Sequence, residues 1–176
     1  RASMLLSGAP CLVPFEARVY KFMDVRRMDR QRSSYGYATI RVRRGHLLED
    51  GMNALSSRLT ETLGGIVRVQ FVNQQGLDEA GVDGGGLFKD FLNDLITEAF
   101  DPKFGLFLET PERMLYPNPA SEIHAGAKHL EYFYFLGAIL GKAVYEGILL
   151  DVPLAGFFLA SLKGRHIQFN DLTTLD

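Results

Sequence analysis

The residues with the most chemical promise lie in GLDEAGVDGGGLFKDF, from Gly76 to Phe91. There Asp78, Glu79 and Asp83 share a loop with Gly84, Gly85 and Gly86. A glycine-rich loop feeding a helix can hold an anion on its free backbone amides. The spacing argues against that use here. A Walker loop needs Gly-x-x-x-x-Gly followed by Lys-Ser or Lys-Thr, and a dinucleotide loop needs Gly-x-Gly-x-x-Gly. Neither occurs, and the acids would repel phosphate. Calcium loops alternate oxygen ligands around a central glycine and close on a glutamate, which this stretch does not do. The loop is expected to be structural, with acids at the positive end of the following helix and glycines allowing left-handed turns.

Other candidates are weaker. GAILGKA, from Gly137 to Ala143, has the wrong spacing for a phosphate loop and sits inside a helical pattern. His124 and His129 are five apart, whereas zinc proteases place histidines at i and i+4 with a glutamate between. His46 and His166 stand alone. Cys11, in APCLVPF, has apolar neighbours and no adjacent base to make it a nucleophile. No Gly-x-Ser-x-Gly elbow is present. Arg41, Arg43 and Arg44, with Arg26, Arg27, Arg30 and Arg32 before them, read first as a solvated face and second as a docking patch.

The elements that must position these residues follow from periodicity. Phe15, Val19 and Phe22 recur at helical spacing behind Pro14, and the polar, basic residues 24–36 read as a loop. Tyr37–Arg43 alternates as a half-buried strand, with Ala38, Ile40 and Val42 on one face. Leu48, Met52, Leu55, Leu59 and Leu63 predict a helix over 47–63, ended by Gly64 and Gly65. Val67–Val72 predicts a second strand. Phe88, Phe91, Leu92, Leu95 and Ile96 form the stripe of a helix over 87–100, which is expected to pack on a long helix over 129–149. Residues 101–127 read as irregular, and a last helix is expected over 153–162. Gly137 and Gly141 share a helix face, where close backbone approach would offset the cost of about 1 kcal/mol for each helical glycine.

Composition bounds the rest. The chain has 176 residues, 47% hydrophobic and 23% charged, with a formal net charge of -2. That fits one α+β domain, mostly α-helical with a few short β-strands. No global positive field is available for nucleic acid or an anionic membrane. A single cysteine cannot form an internal disulfide, and a reduced intracellular setting is expected. The apolar stretch Phe133–Leu159 is interrupted by Lys142, Glu146, Asp151 and Pro153, so core helices are expected rather than a membrane span. Because the sequence opens on Arg1 rather than Met, it is expected to be a piece of a longer chain.

Several blocks, in order, resemble the N-terminal lobe of HECT ubiquitin ligases. They are VPFEARVYKF (13–22), IRVRRGHLLEDG (40–51), VRVQFVNQQGLDEAGVDGGGLFKDFL (67–92), LYPNP (115–119) and YFLGAILGKAVYEGILLDVPLAGFFL (134–159). The resemblance covers nearly the whole chain and is similar to the branch without Nedd-type WW domains. It implies a two-lobed transferase. The N-lobe has a large subdomain and a smaller one that docks the ubiquitin-conjugating enzyme. A cysteine in the C-lobe accepts ubiquitin as a thioester and passes it to a substrate lysine.

FNDLTTLD (169–176) resembles the junction before the small subdomain, so residues 1–176 are expected to form a partial HECT domain, the large subdomain alone. The family's cysteine is then expected beyond Asp176, with Cys11 not catalytic and the piece inactive by itself. The resemblance implies no cofactor and no metal. Its partners would be ubiquitin, a conjugating enzyme held through the other subdomain, and a protein substrate, with neither nucleic acid nor membrane. The setting would be cytoplasmic or nuclear. Tyr116, in the region after Gly105, is the candidate for a weak noncovalent ubiquitin contact. The alternative function is a noncatalytic module that binds ubiquitin or another partner.

Overall fold

The computed structural model describes residues 8–32, 36–58, 64–73, 76–79, 86–172 and 175. Its elements in chain order are α1 (Phe15–Arg32), β1 (Tyr37–Arg43), α2 (Leu47–Leu55), β2 (Ile66–Val72), α3 (Gly86–Ala99), β3 (Phe107–Glu109), β4 (Leu115–Pro117), α4 (Ser121–Ala125), α5 (His129–Glu146) and α6 (Gly156–Leu162). Short 3-10 turns at 10–12, 56–58, 102–104, 126–128 and 169–172 link or extend them. The arrangement is α+β and mostly helical, as the sequence predicts.

The core starts from a parallel pair. β1 and β2 run side by side with Ile40 opposite Val69 and Val42 opposite Phe71. Parallel strands need a crossover connection, and α2 lies within it. Alternation sets which face is covered: Ile40 and Val42 are buried, while Thr39, Arg41 and Arg43 are exposed. On α2, the predicted stripe residues Leu48, Met52 and Leu55 are all buried. That helix ends at Leu55 and continues as a 3-10 turn over 56–58; the predicted Leu59 and Leu63 lie outside the described residues. The predicted stripe of α3 is buried in full, at Phe88, Phe91, Leu92, Leu95 and Ile96. Burying each such side chain stabilises the fold by about 1.5–3 kcal/mol.

Several expectations are corrected. Residues 24–32 are not a loop but the second half of α1. Arginine, methionine and glutamine are good helix formers, and no glycine or proline interrupts them. Residues 101–127 are not irregular throughout: β3 and β4 pair antiparallel, with Leu108 opposite Tyr116, and α4 follows. The prolines Pro117 and Pro119 sit at the strand end and beyond it, where no ladder donor is needed. Helix α3 packs mainly on α2 and β2 rather than on α5. The two helices meet across Gly51 of α2, where a Cβ would lie 3.1 Å from Phe91 Cζ and 3.3 Å from Phe135 Cζ.

Helix α5 stops at Glu146 rather than Leu149, and α6 begins at Gly156 rather than Pro153. Gly147 adopts φ 73° and donates to the Val144 carbonyl, while Ile148 donates to that of Ala143. This double bond is the Schellman closure, which needs a residue at ease in the left-handed region. Gly137 and Gly141 do not mark a close backbone approach. Both are exposed, with nothing within 4 Å of where a Cβ would stand. They fall on the side of α5 opposite Phe135, Leu136, Ile139 and Ala143, which the core takes.

Candidate functional site

Among the described residues no group of three or more histidine, cysteine or acidic side chains is placed to hold a metal. The histidines serve separate local roles. The Cβ of His124 packs beside Gly105, His129 Nδ1 lies 2.9 Å from Ser121 Oγ, His46 precedes α2, and His166 is exposed. Cys11 is free and exposed in the turn Pro10–Leu12. No helix among the described residues is long and apolar enough to cross a membrane.

The acidic loop and the basic run, read separately in the sequence, neutralise each other. Arg41 reaches Asp78 at 2.7 Å, and Arg44 reaches Glu79 at 3.0 Å and Asp94 at 3.1 Å. Arg43 forms a two-armed pair with Asp50 at 2.7 and 2.9 Å. Hydrogen bonding from Arg43 holds the Asp50 carboxyl below the usual carboxylate range, and burial opposes this only in part. These three arginines act as ties between β1 and its neighbours, not as a free docking patch. Asp83, Gly84 and Gly85 lie outside the described residues.

The second half of α1 carries the other arginines to the end of α5. Arg26 Nη1 donates to the Tyr145 carbonyl at 3.0 Å, Tyr145 Oη donates to Asp29 at 2.8 Å, and Arg30 pairs with Glu146. Behind them Lys142, only 2% exposed, donates to Glu146 at 2.6 Å and to the Gly65 carbonyl. Burial pushes the Lys142 ammonium down, and Glu146 partly restores it. Burial alone would raise Glu146, but hydrogen bonds from Lys142 and Arg30 outweigh it and leave the carboxyl low. One sign of this cluster is legible in the sequence: Lys142 and Glu146 are four apart on a helix, a pairing distance.

Tyr116 lies on β4 in a more open setting. Leu115 beside it is buried, and its amide donates to the Pro153 carbonyl at 2.6 Å while its carbonyl accepts from Ala155 at 2.8 Å. That lashes the hairpin to the start of α6. Opposed residues of an antiparallel pair share a face, so half-buried Leu108 and Tyr116 lie together. The Phe157 ring from α6 sits 5.6 Å from that of Tyr116. Leu108 and Phe157 thus complete a partly open apolar patch. Exposed Glu109 and Glu112 lie beside it on the hairpin. Within the expected contact region 105–116, Gly105, Leu106, Phe107, Thr110 and Leu115 are buried and unavailable to a partner.

Comparison with known proteins gives a consistent answer. The family model described as HECT-domain (ubiquitin-transferase) matches residues 93–176. The E3 ubiquitin-protein ligase UPL6 of Arabidopsis thaliana is 46% identical over the whole chain. The ubiquitin-protein ligase E3B of Homo sapiens is 41% identical over 94% of it, and the E3 ubiquitin-protein ligase HUL5 of Saccharomyces cerevisiae 35% identical over 98%. The chain spans 17%, 16% and 21% of the lengths of these three relatives.

Proposed function

Because this chain belongs to the HECT-domain family, we propose that it is scaffold for a ubiquitin transferase: the large subdomain of the N-lobe. In this reading the parent protein takes ubiquitin from a conjugating enzyme by attack of a cysteine thiolate on the thioester carbonyl, which breaks that thioester and expels the conjugating enzyme's own thiolate. The new thioester is then attacked by a substrate lysine, and the thiolate leaves as the amide forms. The cysteine that carries ubiquitin belongs to a separate lobe beyond Asp176, and the conjugating enzyme docks on a neighbouring subdomain. The setting is the cytoplasm or nucleus. The observation that carries the reading is likeness along the entire chain to UPL6.

The test is to incubate this chain with activating enzyme, conjugating enzyme and ubiquitin. No thiol-reducible ubiquitin adduct is expected on Cys11, and Cys11→Ala in the parent protein is expected to leave self-ubiquitination unchanged. An adduct on Cys11 overturns the assignment of the chemistry to another lobe.

The Leu108, Tyr116 and Phe157 patch favours a second, compatible role as a weak noncovalent ubiquitin contact. Titrating free ubiquitin into labelled chain should move the amide signals of residues 108–116 and 157. Tyr116→Ala should abolish those shifts while the melting temperature changes little. Signals that stay fixed in the unmodified chain remove this role.

A further inference from the structure

Among the described elements, α1 is the long helix that the core does not hold. None of its residues is buried, and only Val19, Arg26 and Asp29 are even half-covered. Phe15, Tyr20 and Val25 are 66%, 75% and 53% exposed. Most of a helix's stability in a folded protein comes from packing an apolar face, which α1 lacks, and the pair Asp24–Arg27 adds little.

Among the described residues, the contacts that tie α1 to the fold are polar and lie in its second half. Arg26, Asp29 and Arg30 meet the Tyr145 carbonyl, the Tyr145 hydroxyl and Glu146. The Arg30 guanidinium also lies over the Tyr145 ring at 5.2 Å. Both arginines face the C-terminus of α5, the negative end of its dipole. Gly147 makes room for them: a Cβ there would stand 2.6 Å from Arg26 Nη1. Glu146 has two cationic partners, Arg30 from α1 and Lys142 from inside the fold. If α1 leaves, Glu146 keeps Lys142, so no unpaired charge is stranded in the core.

We propose that α1 is a releasable strap: it docks on the end of α5 through the Arg26, Asp29 and Arg30 contacts, and it detaches and unwinds while the β1–β2–α2–α3 core stays folded. Release uncovers Tyr145 and Glu146 and frees the chain before β1 to take another position. Salt favours release, because ion pairs at a protein surface weaken as the screening length falls from about 10 Å at 0.1 M to about 3 Å at 1 M.

Hydrogen–deuterium exchange followed by mass spectrometry tests this on the whole chain, at low salt and at roughly 0.5 M sodium chloride. Arg30→Met and Asp29→Ala are run alongside. Both substitutions leave the Lys142–Glu146 pair in place. Peptides within 15–32 are expected to exchange about tenfold faster or more in high salt and in both variants, while those within 66–72 and 86–99 keep their rates. The proposal is overturned if 15–32 responds to neither salt nor substitution, or if it accelerates only in step with the core peptides.

Discussion

At the scale of single residues, the tightest constraint is Gly105. It follows the 3-10 turn Pro102–Phe104 at φ 87°, and a Cβ there would lie 2.3 Å from the Cβ of His124. Its carbonyl also accepts the buried Asn118 Nδ2 at 2.8 Å. Gly105→Ala therefore combines left-handed backbone strain with a clash against a fixed atom. It is expected to cost about 1–3 kcal/mol, read as a lower denaturant midpoint at unchanged slope. A midpoint equal to the parent's would mean that α4 can shift to accommodate the methyl. Nothing in the sequence around Gly105 reports this clash. Whether a glycine is needed for its φ or for its lack of a side chain depends on what the fold brings beside it, and His124 arrives from nineteen positions along the chain. Gly137 and Gly141 show the converse: a pattern suggestive of packing, on a face that packs against nothing within 4 Å.

At the scale of elements, periodicity read what the core uses. The stripes of β1, α2 and α3 were legible because one apolar face is buried against one neighbour, which is what a period of 2 or 3.6 reports. Helix α1 extended past its predicted end because polar residues serve it as well as apolar ones when no face is buried. The hairpin β3–β4 escaped notice because strands of three residues hold too few alternations to show a period. Tyr116 was named from resemblance; its neighbours Leu108 and Phe157 come from a cross-strand pairing and a distant helix, and no local pattern reports either. Where α2 crosses α3 and α5, Gly51 lets Phe91 and Phe135 approach. Gly51→Leu is expected to force those rings apart and destabilise the chain by about 1–3 kcal/mol or more. Thermal melting followed by circular dichroism would show this, and an unchanged transition would mean that the crossing has spare room.

At the scale of the whole molecule, the charge ties set a pH response. Asp50 and Glu146 both have folded-state carboxyls held below the usual range. The unfolded chain therefore binds protons at these sites more readily than the folded one. Their stabilisation is fully present above the ordinary carboxyl value of about 4 and is lost as pH falls through it toward the folded values. Lys142, whose ammonium burial disfavours, works in the alkaline range, where stability from this group rises as pH approaches the ordinary lysine value. Melting temperature is expected to fall steeply on acidification below about pH 4 and to change little around neutrality. A flat profile between roughly pH 6 and 3 would contradict the two carboxyl assignments.

The burial of Lys142 also bears on where ubiquitin can be attached. Lys21, Lys89, Lys103, Lys128 and Lys163 are exposed, whereas the Lys142 amine is enclosed and already donating to Glu146 and Gly65. An amine in that state is neither reachable by a thioester nor free to attack one. Under the proposed function, the five exposed lysines are the ones a thioester could reach in folded molecules. A diglycine remnant on Lys142, found after trypsin digestion, would be a tag left only on molecules modified while the end of α5 was open, and its abundance would count how often that happens.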